Sequence, residues 1–148
     1  MAKKPVKPVK KTSTSLPWKW LAPALIVVAA IVAAFVFFQP DQTALASQIS
    51  VAQAAELRDS GAFVLDVREV DEWNQVHVPG ATLIPLGELA NRVNEVPRDQ
   101  TVVVMCRSGN RSQEGRDILK AAGFENVTSM SGGIIQWSAA GYETVTGP

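Results

Sequence analysis

Reactive side chains are scarce in this chain of 148 residues, which has one cysteine, Cys106, and one histidine, His77. A single cysteine excludes any disulfide within the chain, and one cysteine with one histidine leaves a zinc site short of ligands. No cofactor and no metal are expected. Acids are absent from the first 20 residues, and charge of either sign is absent from residues 21–40. The formal net charge of zero is therefore a cancellation: residues 1–20 hold six lysines, and the part from Asp41 onward holds eight bases against 14 acids. A nucleic-acid-binding domain needs bases on its folded part. Here they cluster in a proline-containing tail, so nucleic acid is not an expected partner.

The uncharged zone contains LAPALIVVAAIVAAFVFF, 18 residues from Leu21 to Phe38 with no hydrogen-bonding side chain. That makes about 27 Å of helix, against a bilayer core of about 30 Å. Extension back to Trp18 closes the gap and brings Trp18 and Trp20 to one headgroup boundary, with Phe37 and Phe38 at the other. Pro23 falls in the first turns, where a missing N–H costs least. A buried core helix would need a larger protein around it. The reading is a basic, disordered cytoplasmic tail over 1–17, a transmembrane helix over 18–38, a linker over 39–47 and a domain over 48–148. Six lysines before the helix and no base after it until Arg58 place the domain outside the cytoplasm. The alternative is cleavage after Ala46, at the small-x-small run Ala44-Leu45-Ala46, although the apolar run is longer than a signal core of about 7–15 residues. Both readings export the domain. No cysteine follows the apolar run, so lipid anchoring there has no acceptor thiol.

Length gives one domain after the linker. Ser50 followed by Gln53 reads as a capping box opening a helix that stops at Gly61. The runs Phe63–Val67 and Thr101–Met105 are too short for helices and read as buried parallel strands. Short strands are expected at Gln48–Ile49, Thr82–Ile84 and Val127–Met130. Helices are expected over 69–76, 86–93, after the cysteine as far as Ala122, and over 133–139. This alternation predicts an α/β fold, a mostly parallel sheet with helices on both faces, and functional groups at the carboxyl ends of its strands.

Cys106-Arg107-Ser108-Gly109-Asn110-Arg111-Ser112 directly follows such a strand and leads into a helix read as QEGRDILKAAG. A thiol placed there faces backbone amides at a helix N-terminus. The amides, the helix dipole, Arg107 and Arg111 all favour thiolate over thiol and attract an anion beside the sulfur. Gly109 permits the tight curvature, Ser108 and Asn110 can hydrogen-bond within the loop, and Ser112 can cap the helix. A free cysteine is otherwise most often an inert buried hydrophobe, and it is the six residues after Cys106 that argue against that role here.

The chain resembles a single rhodanese domain, and the resemblance spans about residues 49–147. It rests on Leu65-Asp66-Val67-Arg68-Glu69 with Glu72-Trp73, on His77-Val78-Pro79-Gly80-Ala81, on the cysteine loop, and on Gly132-Gly133-Ile134 with Trp137 and Gly141. Val76 departs from the pattern, which has glycine before the histidine. The resemblance implies a sulfurtransferase. Cys106 would take a sulfane sulfur from thiosulfate, a persulfide or a polysulfide, carry it as a persulfide, and pass it to a thiol or cyanide. A noncatalytic module that docks a partner or senses sulfur is the alternative. A phosphatase loop requires Cys-x5-Arg, whereas Arg111 gives Cys-x4-Arg, a smaller cradle.

Asp66, at the end of a buried strand, requires a partner, for which Arg111 or the loop amides are candidates beside an ordinary ion pair elsewhere. Arg68 lies at the same sheet edge and is a candidate for the pocket entrance. His77 sits in a Val-His-Val-Pro-Gly turn that suits structure better than base or metal chemistry, and Trp73 and Trp137 read as packing residues. Gly132-Gly133 is expected to let the backbone pass close beside the cysteine loop.

Overall fold

A computed structural model describes residues 45–148. The tail, the membrane segment over 18–38 and the first part of the linker lie outside the described residues. Among the described residues no helix is long and apolar enough to cross a membrane.

Five strands form one parallel sheet: β1 (Gln48–Ile49), β2 (Phe63–Asp66), β3 (Thr82–Leu83), β4 (Val102–Met105) and β5 (Val127–Met130), in the order β1-β5-β4-β2-β3. The helices are α1 (Val51–Asp59), α2 (Val70–Gln75), α3 (Leu86–Arg92, continued by a 3-10 turn over Val93–Glu95), α4 (Asn110–Ala121) and α5 (Gly133–Ala139). The predicted α/β class, the parallel sheet and every predicted element within residues 48–139 are present. α1 opens as its sequence requires: Ser50 Oγ accepts the Gln53 amide at 3.3 Å, and the Gln53 side chain accepts the Ser50 amide at 3.0 Å.

Side-chain alternation along β4 divides the core in two. Val103 and Met105 pack with Val51, Ala54, Ile134 and Trp137, which puts α1 and α5 on one face. Val102, Val104 and Cys106 pack with Leu65, Val67, Leu89 and Leu119, which puts α3 and α4 on the other. Gly115 lets α4 lie flat on that face, since a Cβ there would stand 3.1 Å from Val104 and 3.2 Å from Val67. β4 is buried along its whole length at the sheet centre, so the residue leaving its carboxyl end is held firmly. That residue is Cys106.

α2 is the exception to this scheme, because none of its six residues is buried. It ends at Val76, whose φ of −167° and ψ of 135° are extended backbone. No left-handed conformation is required there, so valine occupies a position where the family pattern has glycine without backbone strain.

Candidate active site

Cys106 is 1% exposed, and its Sγ accepts the amide of Gly109 at 3.1 Å. Gly109 reaches that position in a left-handed conformation, φ 107°, and a Cβ on it would stand 3.1 Å from the Gly132 nitrogen. Only glycine combines that φ with so close a neighbour. α4 starts one residue later, at Asn110 rather than at the predicted Gln113, so Arg111 and Ser112 belong to its first turn. Ser112 therefore does not cap the helix. Its buried Oγ donates to the Gly109 carbonyl at 2.9 Å and to the Met130 carbonyl at 3.4 Å, tying the loop to β5. Arg107, Ser108 and Asn110 are exposed.

The floor beneath the loop is α5. Ile134 and Ile135 amides donate to the Cys106 and Arg107 carbonyls at 2.9 and 3.3 Å. Gly133 makes that approach possible, since with its φ of 55° a Cβ would collide with the Cys106 and Arg107 backbone. Gly132-Gly133 thus serves the close passage read from the sequence. Gly133→Ala is expected to displace the loop and lower kcat/KM for sulfur transfer by about 100-fold, the penalty of a misplacement of about 1 Å. Gly141→Ala is the control. It has the same backbone preference, φ 80°, but nothing within 4 Å of the added Cβ, so it is expected to lose stability and keep activity. Steady-state kinetics on both variants, with their melting temperatures, check the pair.

Asp66 and Arg68 also reach this sheet edge, but they pair with each other. Arg68 Nε donates to Asp66 Oδ1 and Oδ2 at 2.9 Å each, and Nη2 donates to Oδ2 at 2.6 Å. The expectation that Arg111 or the loop amides hold Asp66 is corrected. The acid is closed off by an arginine two residues away that follows it into the interior, at 0% and 2% exposure respectively. The remaining Arg68 donors reach the Glu72 carbonyl at 3.2 Å and the Val76 carbonyl at 2.8 Å, anchoring α2.

Arg111 instead takes Glu72, with Nη1 and Nη2 donating to the two carboxylate oxygens at 2.7 and 2.8 Å. Its guanidinium braces the loop's far end against α2. These hydrogen bonds lower the Glu72 pKa from 4.5 to about 2 and raise that of Arg111. Because the folded-state value is depressed, the stabilisation by this pair is complete above pH 4.5 and is lost as pH falls towards 2. The stability difference between the native protein and Glu72→Gln is expected to be constant above that window and to close within it, as read from chemical unfolding at a series of pH values. Glu72 was missed in the sequence as a site residue. Its legible signal is local: it lies three residues after Glu69, whose amide its carboxylate accepts at 3.3 Å, and its partner 39 residues away leaves no such mark.

A cleft of about 350 Å³ opens beside the loop, lined by Arg68, Glu72, Gln75, Val76, Arg107, Ile134, Ile135 and Ser138. It reaches the loop at Arg107, and the enclosed Cys106 is not in its lining. Arg68 is in its wall, as expected of a residue near the pocket entrance. His77 stands apart from it: its ring stacks on Trp73 at 3.7 Å, and its backbone pairs with Val145. Among the described residues no group of three or more His, Cys, Asp or Glu side chains is placed to hold a metal ion.

A family model described as a Rhodanese-like domain matches residues 50–140. The thiosulfate sulfurtransferase GlpE of Pseudoalteromonas translucida is 36% identical over 98 residues, 66% of this chain and 93% of GlpE. YrkF of Bacillus subtilis is 36% identical over 80 residues, 54% of this chain and 43% of YrkF, so the chain spans less than half of that relative's length. Among solved structures, the rhodanese-related protein of Thermoplasma volcanium shares the fold with a TM-score of 0.62 and 33% identity, over 66% of this chain and 96% of that one. With the family model matching more than half of the sequence, and with Cys106 at the head of the loop described above, the chain belongs to the rhodanese-like domain family.

Proposed function

We infer that the protein is a rhodanese-type sulfurtransferase with Cys106 as nucleophile and sulfur carrier. The observation that carries this is the Gly109 amide donating to Cys106 Sγ at 3.1 Å, inside a loop that closes onto the first turn of α4. Amide hydrogens aimed at sulfur stabilise negative charge on it, and then on the terminal sulfur of a persulfide.

With thiosulfate as donor, Cys106 thiolate attacks the sulfane sulfur, the donor's S–S bond breaks, and sulfite leaves with the electron pair. An acceptor then attacks the terminal sulfur of the Cys106 persulfide. Cyanide leaves as thiocyanate and a thiolate leaves as its own persulfide, and Cys106 thiolate is restored in both cases. The cycle needs no external reductant and no second cysteine. GlpE, similar over 93% of its length, is a thiosulfate sulfurtransferase, which supports thiosulfate as a donor here. Arg107, exposed at the rim of the cleft, is the cation placed for an incoming anion, with the amides of Ser108 and Gly109 beside it. Arg111 holds the loop through Glu72, and with both terminal nitrogens on a carboxylate it is poorly disposed to wrap a phosphoryl group. Asp66 and Arg68 support the sheet edge from inside.

The same protein is proposed to be tethered to a membrane by residues 18–38 with its rhodanese domain outside the cytoplasm. The uncharged run and the lysines before it support this. A reporter joined after Pro148 should be active outside the cytoplasm and sediment with membranes. A soluble exported product beginning at Ser47 would instead indicate cleavage.

The activity is tested by incubating the protein with thiosulfate and measuring its intact mass. A gain of one sulfur atom, discharged by cyanide as thiocyanate, is the expected result. A protein that gains no sulfur and forms no thiocyanate would be a noncatalytic module.

A further inference from the structure

We propose that the C-terminal strap, residues 142–147, is a positioning element for the cysteine loop, acting through α2. This inference rests on the sulfurtransferase reading for its consequence, but its geometry stands independently.

The strap lies beyond residue 140, where the family match ends. It is fastened at both ends. Towards α5, the Tyr142 amide donates to the Trp137 carbonyl at 3.3 Å, and Trp137 Nε1 donates to the Glu143 carbonyl at 2.9 Å. Towards α2, His77 and Val145 exchange both backbone hydrogen bonds at 2.8 and 2.9 Å, and the Gly147 amide donates to the Asn74 carbonyl at 2.9 Å.

α2 needs such fastening. It has six residues, none of them buried, and a helix that short is not stable without tertiary contacts. Its anchors are Arg68, which binds the Glu72 and Val76 carbonyls from inside the domain, and the strap, which binds Asn74 and His77. Between these anchors stands Glu72, whose carboxylate takes both terminal nitrogens of Arg111 in the first turn of α4, five residues after Cys106. The His77 ring stacked on Trp73 at 3.7 Å adds a rigid coupling between the strap-bound turn and α2. The path therefore runs from Val145 to His77, along α2 to Glu72, and through Arg111 to the loop that holds the thiol. Val145 and His77 are positioning residues and touch no reactant.

Val145→Pro in the full chain removes the amide that donates to His77 and leaves the Trp137 bond to Glu143 in place. It is expected to lower kcat/KM for thiosulfate about 10-fold, whereas Val145→Ala, which keeps that amide, restores native kinetics. In a Glu72→Gln background, which carries a similar loss of its own, Val145→Pro is expected to add nothing, because both changes release the same brace. A readout independent of sulfur transfer is the ratio of Cys106 alkylation rates by iodoacetate and iodoacetamide. That ratio reports the anion-attracting geometry of the loop, and it should fall several-fold in Val145→Pro and in Glu72→Gln alike. If Val145→Pro does not fold, a chain ending at Thr146, which lacks only the bond to Asn74, should show the same changes in smaller measure. Unchanged kinetics and alkylation ratio in a folded strap variant, or additive losses in the double variant, overturn the proposal. A native protein without sulfur transfer, but with the coupled shift in alkylation ratio, would sink the activity and leave the strap's role standing.

Discussion

Cys106→Ser is expected to abolish sulfur transfer while leaving the fold intact. Serine has nearly the volume of cysteine, and its hydroxyl can accept the Gly109 amide in place of Sγ, so the buried loop keeps its contacts. What is lost is chemical. A serine hydroxyl does not ionise near neutral pH without a base beside it, and the hydrogen bonds to the thiol position come from a backbone amide, which is no base. An oxygen nucleophile also cannot store the transferred sulfur as a disulfide-type bond. Thiocyanate formation should fall to the uncatalysed background, and intact mass after thiosulfate should show no added sulfur. Near-UV circular dichroism should match the native protein. Retained activity in a folded Cys106→Ser protein would remove the nucleophile from the mechanism.

The largest effect on stability is expected at Asp66. Asp66→Ala strips the carboxylate from Arg68, a guanidinium 2% exposed whose other acceptors are two backbone carbonyls. Removing one member of a buried pair costs about 3–5 kcal/mol, because the partner's charge stays behind without compensation. For a domain with about 5–15 kcal/mol in total, that is a large share. Chemical unfolding should show the loss directly. The double variant Asp66→Leu with Arg68→Met should recover much of it, since an apolar pair of similar size removes the stranded charge along with its partner. Its function should stay impaired, because Arg68 also anchors α2, which carries Glu72. A single variant within about 1 kcal/mol of native would show that the interior solvates Arg68 without its partner.

Most of the architecture is legible residue by residue, because the signals are local. Ser50 and Gln53 announce a capping box, VVVM is too short and too apolar for anything but a central strand, and Gly61 and Gly123 stop helices where left-handed backbone is needed. Cys106 is legible for the same reason: strand, loop and helix are contiguous, and their order sends the thiol to the carboxyl edge of the sheet. The first turn of α4 was less legible. Arg111 and Ser112 look like loop residues in the sequence, and only Gly109's left-handed turn, packed against Gly132, lets the helix begin at Asn110.

The one cysteine, the strand before it and the glycines around it are properties of contiguous sequence, and they determine an α/β domain with a single nucleophile at a strand end. The pairing of charges is of another kind. Seven arginines and 14 acids permit many matches, and which acid meets which base depends on where separate elements come to rest. Tertiary structure decided that Asp66 closes on Arg68 and that Arg111 crosses 39 residues to Glu72. It also decided that a six-residue helix without a buried side chain is held by a C-terminal strand-like segment. The physical reason is range: capping, periodicity and turn chemistry act over a few residues along the chain, whereas an ion pair requires only proximity in space.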